Sequence, residues 1–169
     1  FDLGCGAGHV SFHLAAACQD AQITAYDLSE KMLAVVAAEA EERGCANITT
    51  QQGMAENLPF VENQFDLVVT RYSAHHWLDV PKALSEIKRV LKPQGKIVIV
   101  DAISPEPPLL DTVLQTLELL RDASHVRDYC LSQWYHMLGQ QGFAPEQQNR
   151  WKVELDFASW VKRITTPQA

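Results

Sequence analysis

The chain has no stretch near the roughly 20 consecutive apolar residues that a membrane-spanning helix needs, and no signal-peptide pattern precedes its first motif. Membrane insertion is not expected. Basic residues are scarce as well: 14 Lys and Arg stand against 21 Asp and Glu, net −7, with no basic run. That balance argues against a nucleic-acid or anionic-membrane surface as the main partner. Cys5, Cys18, Cys45 and Cys130 form no C-x-x-C pair and sit among apolar or small residues. A disulfide scaffold is therefore not indicated, and reduced thiols in a cytoplasmic protein are the simpler expectation. Internal repeats, low-complexity tracts and domain linkers are absent too.

What is present is enough for one domain, residues 1–169, because 47% of 169 residues are hydrophobic and can build a core without disulfides or metals. The opening FDLG reads as the last part of a buried strand whose start is absent. A Gly-rich turn follows at Gly4 to Gly8, and His9 to Cys18, rich in Ala, Leu and Phe, suits a helix packed on a sheet. Gln22 to Tyr26 reads as a short strand. Ser29 is placed to cap a helix in which Met32, Leu33, Val36, Ala37 and Ala40 recur at helical spacing, and Gly44 ends it.

Ile48 to Gln51 reads as a further strand, and Phe65 to Thr70 as one buried on both faces. Asp79 caps the next helix, whose stripe Val80, Leu84, Ile87 and Leu91 stops at Pro93 and Gly95; Lys96 to Val100 is then another buried strand. Strands alternating with amphipathic helices predict an α/β fold, a doubly wound and mostly parallel sheet with helices on both faces.

Past Asp101 the pattern is less regular. A Pro-rich turn leads into a helix with Leu109, Leu110, Val113, Leu114, Leu117 and Leu120 on its apolar side. Ser132 is placed to cap a short helix ending near Gly142; Trp151, Val153 and Leu155 alternate as in a strand; Phe157, Trp160, Val161 and Ile164 fit a final helix.

The chemistry concentrates at the strand ends, where open α/β sheets bind ligands. Asp2-Leu3-Gly4-Cys5-Gly6-Ala7-Gly8 puts three glycines at alternate positions between strand and helix, so the backbone can approach a ligand closely, and the helix that follows presents N–H groups to an anion. Asp27, at the end of the second strand, can accept from two ribose hydroxyls. A nucleoside is indicated. The dinucleotide fingerprint would need glycine at position 9, which is His9, so a nicotinamide cofactor is disfavoured. The plain alternative is a tight turn that binds nothing.

DLGCGAG, YDLSEKML, GMAENLPF, FDLVVTRYSAHHW and ALSEIKRVLKPQGKIVIVD follow one another over residues 1–101. In order and spacing they resemble the class I S-adenosylmethionine-dependent methyltransferases of the ubiquinone/menaquinone-biosynthesis type. The resemblance implies a Rossmann-like fold truncated at both ends, with a cofactor-binding core at 1–101 and substrate-side helices and a last strand at 102–169. It implies that Gly4, Gly6 and Gly8, with Cys5 in the same turn, underlie the methionine part of S-adenosylmethionine while Asp2 helps orient its amino group. Asp27 would hold the ribose, Leu28 and Met32 would pack on adenine and ribose, the Ala55 backbone would meet the adenine edge, and the main chain near Arg71 would face the amino group.

One position departs from the family, which usually has aspartate where this chain has Met54. A thioether cannot replace an ionised acceptor for the adenine amine, though it offers polarizable contact. Met32 and Met54 fit simple core filling equally well. Cys5 has no base partner and reads as a packing residue.

His75 and His76, beside Tyr72 and Trp77 after the fourth strand, suit substrate contact or proton removal, or else a loop brace. Adjacent histidines are a poor metal pair, and no metal is expected. Arg121, Asp122, His125, Arg127 and Asp128 suit a substrate lid or an exposed salt-bridged turn.

In-line transfer of a methyl group needs alignment in a dry cleft more than acids and bases, so no catalytic signature names the small-molecule acceptor. Two other functions stay open at this point: a nicotinamide-dependent oxidoreductase and a non-catalytic nucleoside-binding subunit.

Overall fold

A computed structural model describes residues 1–144 and 149–162. Its strands are β1 (Asp2–Leu3), β2 (Ile23–Asp27), β3 (Ile48–Gln52), β4 (Phe65–Arg71) and β5 (Leu91–Val100). They form one sheet in the order β3-β2-β1-β4-β5, and every pairing is parallel. Helices α1 (His9–Ala17), α2 (Glu30–Arg43) and α3 (Val80–Val90) make the crossovers. From β1 the sheet grows one way to β2 and β3 and the other way to β4 and β5. Right-handed crossovers therefore put α1 and α2 on one face and α3 on the other. The doubly wound fold expected from the sequence is present, with its crevice outside the carboxyl ends of β1 and β4.

The elements form where their local chemistry asks for them. Ser29 Oγ accepts from Met32 N–H at 3.3 Å, and Asp79 Oδ1 accepts from Lys82 N–H at 2.9 Å, so α2 and α3 have the expected caps. Gly44 ends α2 in the left-handed region. Leu33, Val36 and Ala40 of α2 are buried with Ala25 of β2, and Val80, Ala83, Leu84, Ile87 and Val90 of α3 are buried as well. Each large side chain so removed from water contributes about 1.5–3 kcal/mol. Phe1, Tyr26, Phe60 and Phe65 make a cluster of ring contacts around the β1 end.

Three details differ from the sequence reading. Leu91 belongs to β5, not to α3: it pairs with Phe65, after which the register jumps so that Lys96 pairs with Leu67. Pro93, which has no N–H to give, falls in the skipped stretch.

The cap before α5 (Leu131–Gln140) is Cys130, whose N–H donates to the Gln133 side chain; the Ser132 hydroxyl instead donates to Glu106. Trp151, Val153 and Leu155 lie in a stretch without strand structure, since no neighbouring strand pairs with it among the described residues.

The chain divides into two compact units, Phe1–Ala102 and Ile103–Ala169. The second contains α4 (Pro108–Arg121), α5 and α6 (Phe157–Lys162). The apolar stripe of α4 exists, yet none of its residues is buried. The final helix is present through Lys162, and Ile164 lies outside the described residues. No described helix is long and apolar enough to cross a membrane.

Candidate cofactor site

The glycine turn hangs on the end of β2. Gly4 N–H and Cys5 N–H both donate to the Tyr26 carbonyl, at 2.8 and 3.0 Å, and Gly6 N–H donates to Asp27 Oδ2 at 2.8 Å. At Gly4 the backbone is left-handed and a Cβ would fall onto the Ser73 side chain, so only glycine fits. Gly6 is left-handed too, but nothing lies within 4 Å of where its Cβ would be. The turn is thus packed from behind at Gly4 and open at Gly6, as a surface that a ligand covers should be. Gly8 leads into α1, which has no side-chain cap and no acidic residue in its first turn. Its first N–H groups are left to meet an anion.

Asp2 lies beneath the turn, 1% exposed, with Oδ2 accepting from the Ser11 hydroxyl at 2.7 Å. Its Oδ1 has no hydrogen-bond partner among the described residues, and burial holds the carboxyl above the usual aspartate range. Cys5 is also buried. Burial, helped by the Asp2 and Asp27 carboxylates, pushes its thiol up to about 12, which removes it as a nucleophile.

Asp27 is half-buried, and each oxygen already holds one backbone amide: Oδ2 takes Gly6 N–H, and Oδ1 takes Ser29 N–H at 2.9 Å. An ionised carboxylate has about four acceptor positions, so two remain for hydroxyls. Asp27 therefore supports the entry to α2 and can still take a ribose. Around it three large apolar side chains are exposed, Leu28 at 66%, Met32 at 42% and Met54 at 45%, whereas Ala55 is buried. The two methionines are not core filling.

At the end of β4, Arg71 is exposed with its guanidinium 4.6 Å from the centre of the Tyr72 ring, and Tyr72 is itself left-handed at φ 52°. His75 Nδ1 lies 2.7 Å from Asp101 Oδ1; a carboxylate can only accept, so the imidazole donates there. Asp101 also accepts from Ala74 and Ala102 N–H, both at 2.8 Å. The His76 ring stands 4.2 Å from that of His75. His75 is braced, and that same bond fixes the imidazole's orientation.

Sequence reasoning missed the residues that hold these segments. Asp101 follows β5 as Asp27 ends β2, and a carboxylate at a second strand end was the available signal. Glu86 and Arg89 of α3 bind each other and also Leu58 N–H, Leu58 O and Phe60 O, tying down the segment after Met54. Ser11, Tyr26 and Gln52, whose side-chain amide donates to the Leu28 carbonyl at 2.9 Å, gave no signal of their own.

The chain that carries this geometry, a glycine turn open at Gly6 and an acid at the next strand end, is similar to known proteins. A family model described as "Methyltransferase domain" matches residues 1–99. The chain belongs to the class I S-adenosylmethionine-dependent methyltransferases. It is 50% identical over 147 residues to the protein YafE of Escherichia coli K12, covering 87% of this chain and 71% of that protein. It is 40% identical to the uncharacterized methyltransferase YcgJ of Bacillus subtilis, over 98% of this chain and 65% of that one.

The crystal structure of YcgJ superimposes with a TM-score of 0.92 at 39% identity, covering 99% of this chain and 70% of that chain. A demethylmenaquinone methyltransferase of Lactococcus lactis is 36% identical over 64% of this chain and 43% of that protein. This methyltransferase chain thus spans 71% and 65% of the length of YafE and YcgJ.

Proposed function

We propose that this chain binds S-adenosylmethionine across the glycine turn and the ends of β2 and β4, and directs its methyl group in line onto a small-molecule acceptor. The observation that carries the reading is the open surface at Gly6 flanked by Asp27, with Leu28, Met32 and Met54 exposed in the segments that follow β2 and β3. The methionine part fits over Gly4, Gly6 and Gly8, with α1's N–H groups for its carboxylate and Asp2 supporting the turn from beneath. Asp27 accepts from the ribose, Leu28, Met32 and Met54 pack on the nucleoside, and the Ala55 backbone meets the adenine edge. The main chain near Arg71 faces the amino group. When bound, S-adenosylmethionine supplies a methyl carbon made electrophilic by the sulfonium.

The chain's own residues then hold the reacting groups in line and keep water out. An acceptor that must lose a proton has Tyr72, His75 and His76 at hand, of which His75 is fixed by Asp101. Demethylmenaquinone belongs in any acceptor panel because a relative is named for it. Cys5, Cys18, Cys45 and Cys130 are all free thiols, which supports work in the reducing cytoplasm.

S-adenosylhomocysteine should raise the melting temperature and NAD should not. Asp27→Ala should weaken S-adenosylhomocysteine binding about ten- to a thousandfold, the loss of two charge-assisted hydrogen bonds at about 1.5–3 kcal/mol each less what water returns. If the variant melts lower while affinity stays within about threefold, Asp27 only supports α2 and the nucleoside reading loses its main side chain.

A further inference from the structure

We infer that Tyr26 is a positioning residue for adenine selection, because its phenol grips the Met54 carbonyl and so aims the Ala55 N–H at the ligand. The inference rests on the cofactor reading above and concerns the adenine end of that site. Tyr26 precedes Asp27 on β2 and is 1% exposed, its ring packed edge-on against Phe1 at 5.5 Å and tilted against Phe60 at 5.7 Å. Its hydroxyl donates to the Met54 carbonyl at 3.1 Å. Asn57 N–H donates to the same oxygen at 3.2 Å, so both lone pairs of that carbonyl are taken from the protein side.

In a trans peptide the C=O and the following N–H point in opposite directions, and the chain has no cis peptide among the described residues. With the Met54 carbonyl drawn toward Tyr26 and Asn57, the Ala55 N–H faces away from them. The approach is close enough that a Cβ at Gly53 would fall onto the Tyr26 hydroxyl, so the segment is seated on the phenol itself. Gly53 N–H donates to the Asp27 carbonyl at 3.1 Å, which ties the same segment to the ribose-side residue. Burial, with the Glu56 and Glu86 carboxylates adding to it, pushes the phenol up to about 12, so it remains a donor through the neutral range.

An outward N–H is matched by adenine, whose N1 is an acceptor, and mismatched by hypoxanthine, whose N1 carries a proton. Here the side chain at 54 is a thioether, only a weak acceptor, so the backbone amide carries most of the distinction. Fixing that amide is then the work of Tyr26.

The test compares S-adenosylhomocysteine with its inosine counterpart, in which N1 is protonated, on wild type and on Tyr26→Phe. Phenylalanine keeps the ring contacts and removes only the grip on the carbonyl. Wild type should prefer the adenine compound by about tenfold or more, and the variant should bind it about two- to tenfold more weakly while its preference falls to within about threefold. The ratio of two dissociation constants does not depend on how much of the variant is folded, so partial unfolding cannot imitate the result. An unchanged ratio, with or without a lower melting temperature, makes Tyr26 a core residue only and overturns the inference. Failure of wild type to bind S-adenosylhomocysteine at all overturns the cofactor reading, and this inference with it.

Discussion

Helix α3 buries Val80, Ala83, Leu84, Ile87 and Val90, whereas α4, with a stripe of leucine and valine just as continuous, buries no residue. Both helices also carry a Glu and an Arg three apart, Glu86 with Arg89 and Glu118 with Arg121, each paired at 2.6–2.7 Å. The pair on α3 reaches on to Leu58 and Phe60. That on α4 has an aromatic neighbour instead, Arg121 lying 4.5 Å from the centre of the Trp160 ring. The same sequence grammar therefore builds a load on the sheet in one place and an open face in another. Periodicity states which side of a helix should be covered; it does not state what covers it.

The largest test of this contrast is a pair of truncations. Ile87, fully buried, should lose about 2–5 kcal/mol on replacement by alanine. Leu117, 42% exposed, should change stability by about 0.5 kcal/mol or less. Urea denaturation followed by far-UV circular dichroism reads both. Equal losses would mean that α4's stripe is covered in solution, and the contrast would fail.

The same distinction explains how much was legible beforehand. The strands, the three crossovers, the Ser29 and Asp79 caps and the glycine turn were readable because each is written in neighbouring residues. The place of Asp27 at the end of β2 was readable because the strand pattern before it is local. The pairs His75 with Asp101 and Tyr26 with Met54 lie 26 and 28 residues apart and leave no local trace. The alternation of Trp151, Val153 and Leu155 failed for the same reason: a strand exists only if another strand lies beside it, and local pattern cannot supply one.

A second, smaller effect concerns the pH dependence of the ion pair on α3. Hydrogen bonds from Arg89 come first among the causes that hold the Glu86 carboxyl below the usual glutamate range. A folded-state pKa lowered below the unfolded one means that the unfolded chain binds more protons. The stability this contributes is then present above the ordinary glutamate pKa and lost as pH falls through the lowered one. Arg89→Gln also gives up its hold on the Leu58 and Phe60 carbonyls, so a loss of about 1–3 kcal/mol at neutral pH is expected. The acid slope should flatten with it. Arg121→Gln, with no carbonyl to release among the contacts described, should cost less at pH 7; melting curves from pH 3 to 7 decide between them.

The smallest effect concerns the other exposed apolar residues, those of the site, and asks whether they differ in kind from the open face of α4. Met54 is 45% exposed, and its neighbours in the segment are held from behind by Tyr26, Glu86 and Arg89. If a nucleoside covers it, the side chain at 54 lies against adenine, and an aspartate there accepts from the adenine amine. Such a charge-assisted hydrogen bond is worth about 1.5–3 kcal/mol. Desolvating the new carboxylate and losing the thioether's contact with the ring take back a good part of that. Met54→Asp should therefore tighten S-adenosylhomocysteine binding by about three- to tenfold, or about 0.7–1.4 kcal/mol, with little change in the melting temperature of the free protein. Calorimetry on wild type and variant reads the difference directly. A variant that binds more weakly would mean that Met54 does not lie beside the adenine amine, and that its exposure is of the same kind as α4's.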